Sequence, residues 1–104
     1  MHRRPMSEPE KKFQEIIDAN KYPFYFNGNA QNENPLIIDG KIPDFVHNIE
    51  NKLIEIWGNF YHKGQNPQDR INFFKERGWG CIVFWASELR KSDSILDRIE
   101  AFLK

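Results

Sequence analysis

The stretch KIPDFVHNIENKLIEIWGNFYH, residues 41–62, sets two short apolar runs, 42–47 and 52–57, on either side of the polar connection Asn48-Ile49-Glu50-Asn51. Runs of this length separated by a few turn formers predict an antiparallel hairpin. If His47 pairs with Lys52 across the turn, paired residue numbers sum to 99 and Asp44 stands directly opposite Glu55. Side chains so opposed have Cβ atoms about 4.5–5.5 Å apart. Alternation then puts Ile42, Asp44 and Val46 on one face with Leu53, Glu55 and Trp57, and Phe45 and His47 on the other with Ile54 and Ile56. Like charges facing across a strand pair repel, and burying an unpaired carboxylate is costly. The pair calls for a cation.

Outward from the hairpin, SEPEKKFQEIIDAN (7–20) predicts a helix with Ser7 as N-cap, Pro9 in its first turn and an apolar stripe of Phe13, Ile16 and Ile17. YPFYF (22–26) reads as a short edge strand because Pro23 cannot donate to a ladder. A polar loop, 27–35, follows it. On the other side, Asn66-Pro67 opens a helix that runs to about Arg77, turns Ile71, Phe73 and Phe74 inward and closes at Gly78. WGCIVFWA (79–86) is apolar without alternation, as expected of a central strand covered on both faces. Strand, helix and strand from 52 to 85 thus form a crossover that makes the two strands parallel. A last helix capped by Ser92 carries Ile95, Leu96, Ile99, Phe102 and Leu103 on one face.

With 104 residues, 39% hydrophobic and 14% aromatic, the chain is sized for one domain, 1–104, with residues 1–6 as a disordered tail. Fifteen basic residues balance fifteen acidic ones, so no overall basic field announces a nucleic acid. The lone Cys81 excludes an internal disulfide and a multi-cysteine zinc site, packs in the core, and fits a reducing cytoplasm. No apolar run approaches the ~20 residues that span a bilayer, and MHRRPMSEPEKK lacks the apolar core of a secretory signal. The expected setting is intracellular, with no membrane.

Asp44 and Glu55 are hard oxygen ligands that suit Mg²⁺ or Mn²⁺ retaining several waters. The plain alternative is that one carboxylate faces solvent, or that Lys41 or Lys52 neutralises the pair. His62, after Gly58 frees the backbone to turn, is placed to shuttle a proton or to donate to a phosphate oxygen, and it reads equally as a packing histidine. His2 and His47 are read as surface or packing residues. Asp69, in the first turn of the helix at 66–77, and Glu10, which completes the Ser7-x-x-Glu10 capping box, both have full explanations as helix-start acids. Trp57, Trp79 and Trp85 read as core, with Trp57 near enough to the acids to wedge against a base; Glu88 reads as a helix-start or solvent carboxylate.

The order PDF (43–45), KLIEIWGNFYH (52–62), DR (69–70) and GWGCIVFWASEL (78–89) resembles the very short patch repair endonucleases and the phage and intron homing endonucleases that share their fold, within the PD-(D/E)XK nuclease superfamily. The similarity runs over residues 7–104 and includes the first helix, here SEPE. It implies a restriction-endonuclease-like three-layer α/β core, a small mixed sheet flanked by helices, in a bacterial or phage-encoded protein. It makes Asp44 the principal metal ligand, His62 the catalytic histidine and Glu10 a first-helix acid reaching the same site. Asp69 matches the second aspartate of the Glu-Asp-x-His-Asp pattern, and Glu55 matches the second acidic ligand. Trp57 stands where the superfamily has a lysine, the structural zinc site of the repair members has no counterpart, and neither has their hydrophobic wedge.

These readings converge on a Mg²⁺- or Mn²⁺-dependent DNA endonuclease, with Asp44 and Glu55 or Glu10 at the metal and with Lys52, Lys63, Arg70 and Trp57 at the DNA. Arg3, Arg4 and Lys11 are further candidates for phosphate contact. A chain of this size with no net positive charge is poor at choosing a sequence alone, so an additional DNA-reading domain or subunit is expected. The rival expectation is a non-catalytic nucleic-acid-binding or assembly module on the same fold, and a third is a purely structural protein.

Overall fold

The computed structural model describes residues 6–28, 34–58 and 64–104. Residues 1–5 of the expected tail, His62 and Lys63 lie outside them, while Met6 packs partly buried against the core. A four-stranded mixed sheet, in the order β1-β2-β3-β4, is made of β1 (Phe24–Phe26), β2 (Phe45–His47), β3 (Lys52–Trp57) and β4 (Gly80–Trp85). β1–β2 and β2–β3 pair antiparallel and β3–β4 parallel. Helices α1 (Glu8–Asn20) and α3 (Ser92–Leu103) cover one face, and α2 (Pro67–Lys75) covers the other. This is the expected three-layer α/β architecture.

The hairpin register is the one read from the sequence, since Phe45 pairs with Ile54 and Val46 with Leu53. Its faces divide accordingly: Phe45, Ile54 and Ile56 join Phe13, Ile17, Phe84, Ile95 and Ile99 beneath α1 and α3, while Val46 and Leu53 join Phe74 under α2. At the tip, His47 is buried and its Nδ1 accepts from the Ile49 and Glu50 amides, which leaves it a packing residue that closes the turn. The capping box of α1 is complete, with Ser7 N–H donating to Glu10 and Glu10 N–H donating to the Ser7 hydroxyl. Cys81 sits partly buried on the α2 side.

Three expectations need correction. Strand β2 starts at Phe45 rather than at residue 42, because Pro43 has no N–H to donate and the Asp44 N–H goes to the Glu55 side chain. Ahead of it lies a two-residue turn: Ile38 and Lys41 exchange both backbone hydrogen bonds around Asp39 (φ 46°) and Gly40 (φ 83°). Paired positive φ values make this the turn type that Asp-Gly favours. Among the described residues β4 is an edge strand rather than a central one. It is apolar on both sides because α2 lies over one face and α1 and α3 over the other, and its outer edge is closed by side chains: Arg98 donates to the Val83 carbonyl at 3.1 Å and Trp85 N–H to Glu88 at 3.0 Å, with Arg98 and Glu88 paired at 2.6 Å. Helix α3 begins at Ser92 itself, with Lys91 in the cap position.

Asn27 ties these parts together. Fully buried, it donates from Nδ2 to the Leu36 and Pro43 carbonyls and accepts the Leu36 amide on Oδ1, while its own N–H donates to the Asp44 carbonyl. Orphaned buried polar groups cost about 1–3 kcal/mol each. Asn27→Ala is expected to lower unfolding free energy by about 3 kcal/mol in urea titrations; a loss under ~0.5 kcal/mol, typical of a surface change, would contradict this role.

Candidate functional site

Where β2 stops, carboxylates continue its ladder. Asp44 N–H donates to Glu55 Oε2 at 3.0 Å, and Ile56 N–H donates to Asp44 Oδ2 at 2.8 Å. Each acid therefore satisfies a backbone amide that strand pairing leaves without an acceptor. Glu55 is 1% exposed, and Glu10 at the start of α1 is 3% exposed. The three acids lie near enough to act on one another: Asp44 is pushed well above its ordinary value of 3.8 by burial first, then by the charges of Glu55 and Glu10, against an opposing hydrogen bond from Ile56. Glu10 thus caps its helix and faces Asp44 together.

The expected lysines do not neutralise the pair. Arg70, from the first turns of α2, donates through Nε to Glu55 Oε1 at 2.7 Å. Lys41 instead lies over the Phe73 ring, 5.0 Å from its centroid. Lys52 turns to the other face of the sheet, over Phe102 and paired with Glu50, so the structure does not bring it to the acids. Trp57 is buried and meets Trp85 nearly at right angles, with centroids 5.4 Å apart. Burial beside Glu55 pushes the Cys81 thiol upward, with Arg70 opposing.

Beside the acids opens a cleft of about 530 Å³, lined by Lys41, Trp57, Gln65, Asn66, Asp69, Arg70 and Phe73. Asp69 is exposed on α2, next to Arg70, so the two neighbours divide their work between cleft and buried acids. Lys41 was weighed above only as a neutraliser of the acids. The signal for its place is the Asp39-Gly40 pair just before it, which forecasts a turn that swings it toward α2. Among the described residues no group of three or more His, Cys, Asp or Glu side chains is arranged to hold a metal. The Asp44–Glu55 pair still offers two hard carboxylates, the donor set of an ion that keeps most of its waters. No helix among the described residues is long and apolar enough to cross a membrane.

No family profile and no curated protein matches the chain. Among solved structures it is similar to the catalytic domain of the homing endonuclease I-Bth0305I, with a TM-score of 0.67 and 17% identity over 92% of this chain and 93% of that one. The two share a fold.

Because folded Asp44 keeps its proton to higher pH than it does in the unfolded chain, the folded state binds the extra proton above the ordinary carboxylate range. That contribution is complete below an ordinary carboxyl pKa of about 4 and is lost as pH rises through the folded value. In chelator, Asp44→Asn, which keeps an oxygen for Ile56 N–H, is expected to match wild type in thermal melts at about pH 3.5 and to exceed it increasingly toward about pH 8. Parallel stability curves would refute the repulsion. Arg70→Met strands Glu55 and is expected to cost about 3 kcal/mol at neutral pH, the lower end for breaking a buried pair because Arg70 reaches solvent; urea midpoints of wild type and variant give the value directly.

Proposed function

We propose that the chain is a divalent-metal-dependent DNA endonuclease, akin to the very short patch repair and homing endonucleases of the PD-(D/E)XK superfamily. One observation carries the reading: half-buried Asp44 and buried Glu55, tied to each other through the backbone, with a third acid at Glu10 and the Arg70 guanidinium on Glu55, sit beside an open cleft. The fold shared with a homing endonuclease catalytic domain supports the same reading.

In this reading Asp44 and Glu55 would hold Mg²⁺ or Mn²⁺, and the ion would offset the acids and polarise a phosphodiester and a water. Water oxygen attacks phosphorus, the bond to one ester oxygen breaks, and that oxygen leaves with a proton. His62 accepts the proton from water or supplies it to the leaving oxygen. Arg70 answers charge on the phosphate with the guanidinium nitrogens that Glu55 does not use, a duty that falls to it because Trp57 replaces the superfamily's lysine. Glu10 tunes Asp44, and Asp69 extends the polar rim. Sequence choice belongs to a further DNA-reading domain or subunit.

Arg70 also favours a second reading, since it already neutralises Glu55 and a binding module could bury these acids without metal. Cleavage of supercoiled plasmid separates the two. Mg²⁺ or Mn²⁺ is expected to support nicking or linearisation, EDTA to abolish it, and Asp44→Ala and His62→Ala each to lower the rate by about 100-fold or more. Mn²⁺ is also expected to raise the melting temperature of wild type and not that of Asp44→Ala. A folded wild type that neither cuts DNA nor gains stability from Mn²⁺ would leave the binding module standing.

A further inference from the structure

The buried acids explain Arg70 and Glu10, but they do not explain the turn at residues 38–41. That turn holds Asp39 at positive φ, a conformation that aspartate tolerates better than most side chains. It is anchored to α2 from two sides: Asp39 pairs with Arg77, whose guanidinium lies 3.7 Å from the Phe73 centroid, and Lys41 sits over the same ring at 5.0 Å. The product is one wall of the cleft, facing the start of α2. Its roughly 530 Å³ falls within the ordinary range for small-molecule sites.

We infer that this cleft is a subsite for one unstacked nucleotide of a DNA strand, its phosphate drawn by Lys41 and Arg70 and its base lodged beside Trp57 and Phe73 with Asn66 and Asp69 at its edge. The inference rests on the DNA reading above and names the form of DNA that the site takes. The chemistry of the lining is that of a nucleotide in its parts. Lys41 offers a point charge and Arg70 a fork, the two side chains that meet phosphates. Asn66 caps α2 with Oδ1, which accepts the Gln68 amide, so its Nδ2 remains to donate. Asp69, one turn on, has no ion pair among the described residues and supplies an acceptor. A donor and an acceptor side by side match the mixed edge that every base carries. A base inside a duplex has that edge paired and both ring faces stacked, so it enters only after extrusion, which costs least where the nucleotide is already unpaired.

Fluorescence anisotropy in EDTA tests this with a labelled short duplex, fully paired or carrying one bulged nucleotide. The bulged duplex is expected to bind wild type about tenfold tighter, the size of one base contact. Lys41→Ala and Asn66→Ser, the latter keeping a capping hydroxyl, are expected to reduce that preference to about twofold or less, with circular dichroism unchanged. Equal binding of the two duplexes by wild type, or a preference intact in both variants, would overturn the subsite and leave the DNA reading in place. Failure of wild type to bind either duplex would remove both.

Discussion

A strand pair that ends inside a protein must give its last amides an acceptor, and here the acceptors are carboxyl oxygens. Asp44 and Glu55 exchange bonds with the backbone at the point where β2 and β3 part, so the two acids are fixed by the ladder itself. The chain does not place them there and then support them; the ladder's end and the acidic cluster are one structure. Breaking a buried ion pair is far worse than never having built it, which is why α2 must return over β3 with Arg70 in its first turns. The crossover that makes β3 and β4 parallel also delivers the cation.

That arrangement gives Arg70 two neighbourhoods. Its Nε is bound to a side chain that is almost wholly buried, while the residue lines the cleft and remains a quarter exposed. A guanidinium can do this because its donors are spread over a plane; an ammonium could serve only one side at a time. Charge added near Asp44 is therefore felt at the cleft through Glu55 and Arg70, across a few ångströms of packed side chain.

Much of this was legible in the sequence because it is local. Hairpin register followed from alternation and a four-residue connection, the capping box from its spacing, and the parallel pair from strand, helix and strand. The position of β4 was not legible: helices on both faces produce the same apolar run in an edge strand as in a central one. The partner of Glu55 was missed for another reason. Lys41 and Lys52 are close to the acids in sequence, but Lys52 belongs to the opposite face by the same alternation that set Asp44 against Glu55, and Lys41 is turned away by Asp39-Gly40. Arg70 arrives from fifteen residues downstream on a helix, a distance that no local pattern spans.

The outer edge of β4 bears on the solubility of the chain. Gly80–Trp85 is a six-residue apolar strand with its last neighbour on one side only, the kind of edge that templates growth by adding strands from other molecules. A formal net charge of zero supplies no mutual repulsion to keep copies apart. Arg98 closes part of that edge instead. By holding the Val83 carbonyl, pairing with Glu88 and lying 4.4 Å from the Phe84 ring centroid, it takes an acceptor that an incoming strand would need. One arginine on the last helix thus shortens the open edge, away from the cleft and its acids.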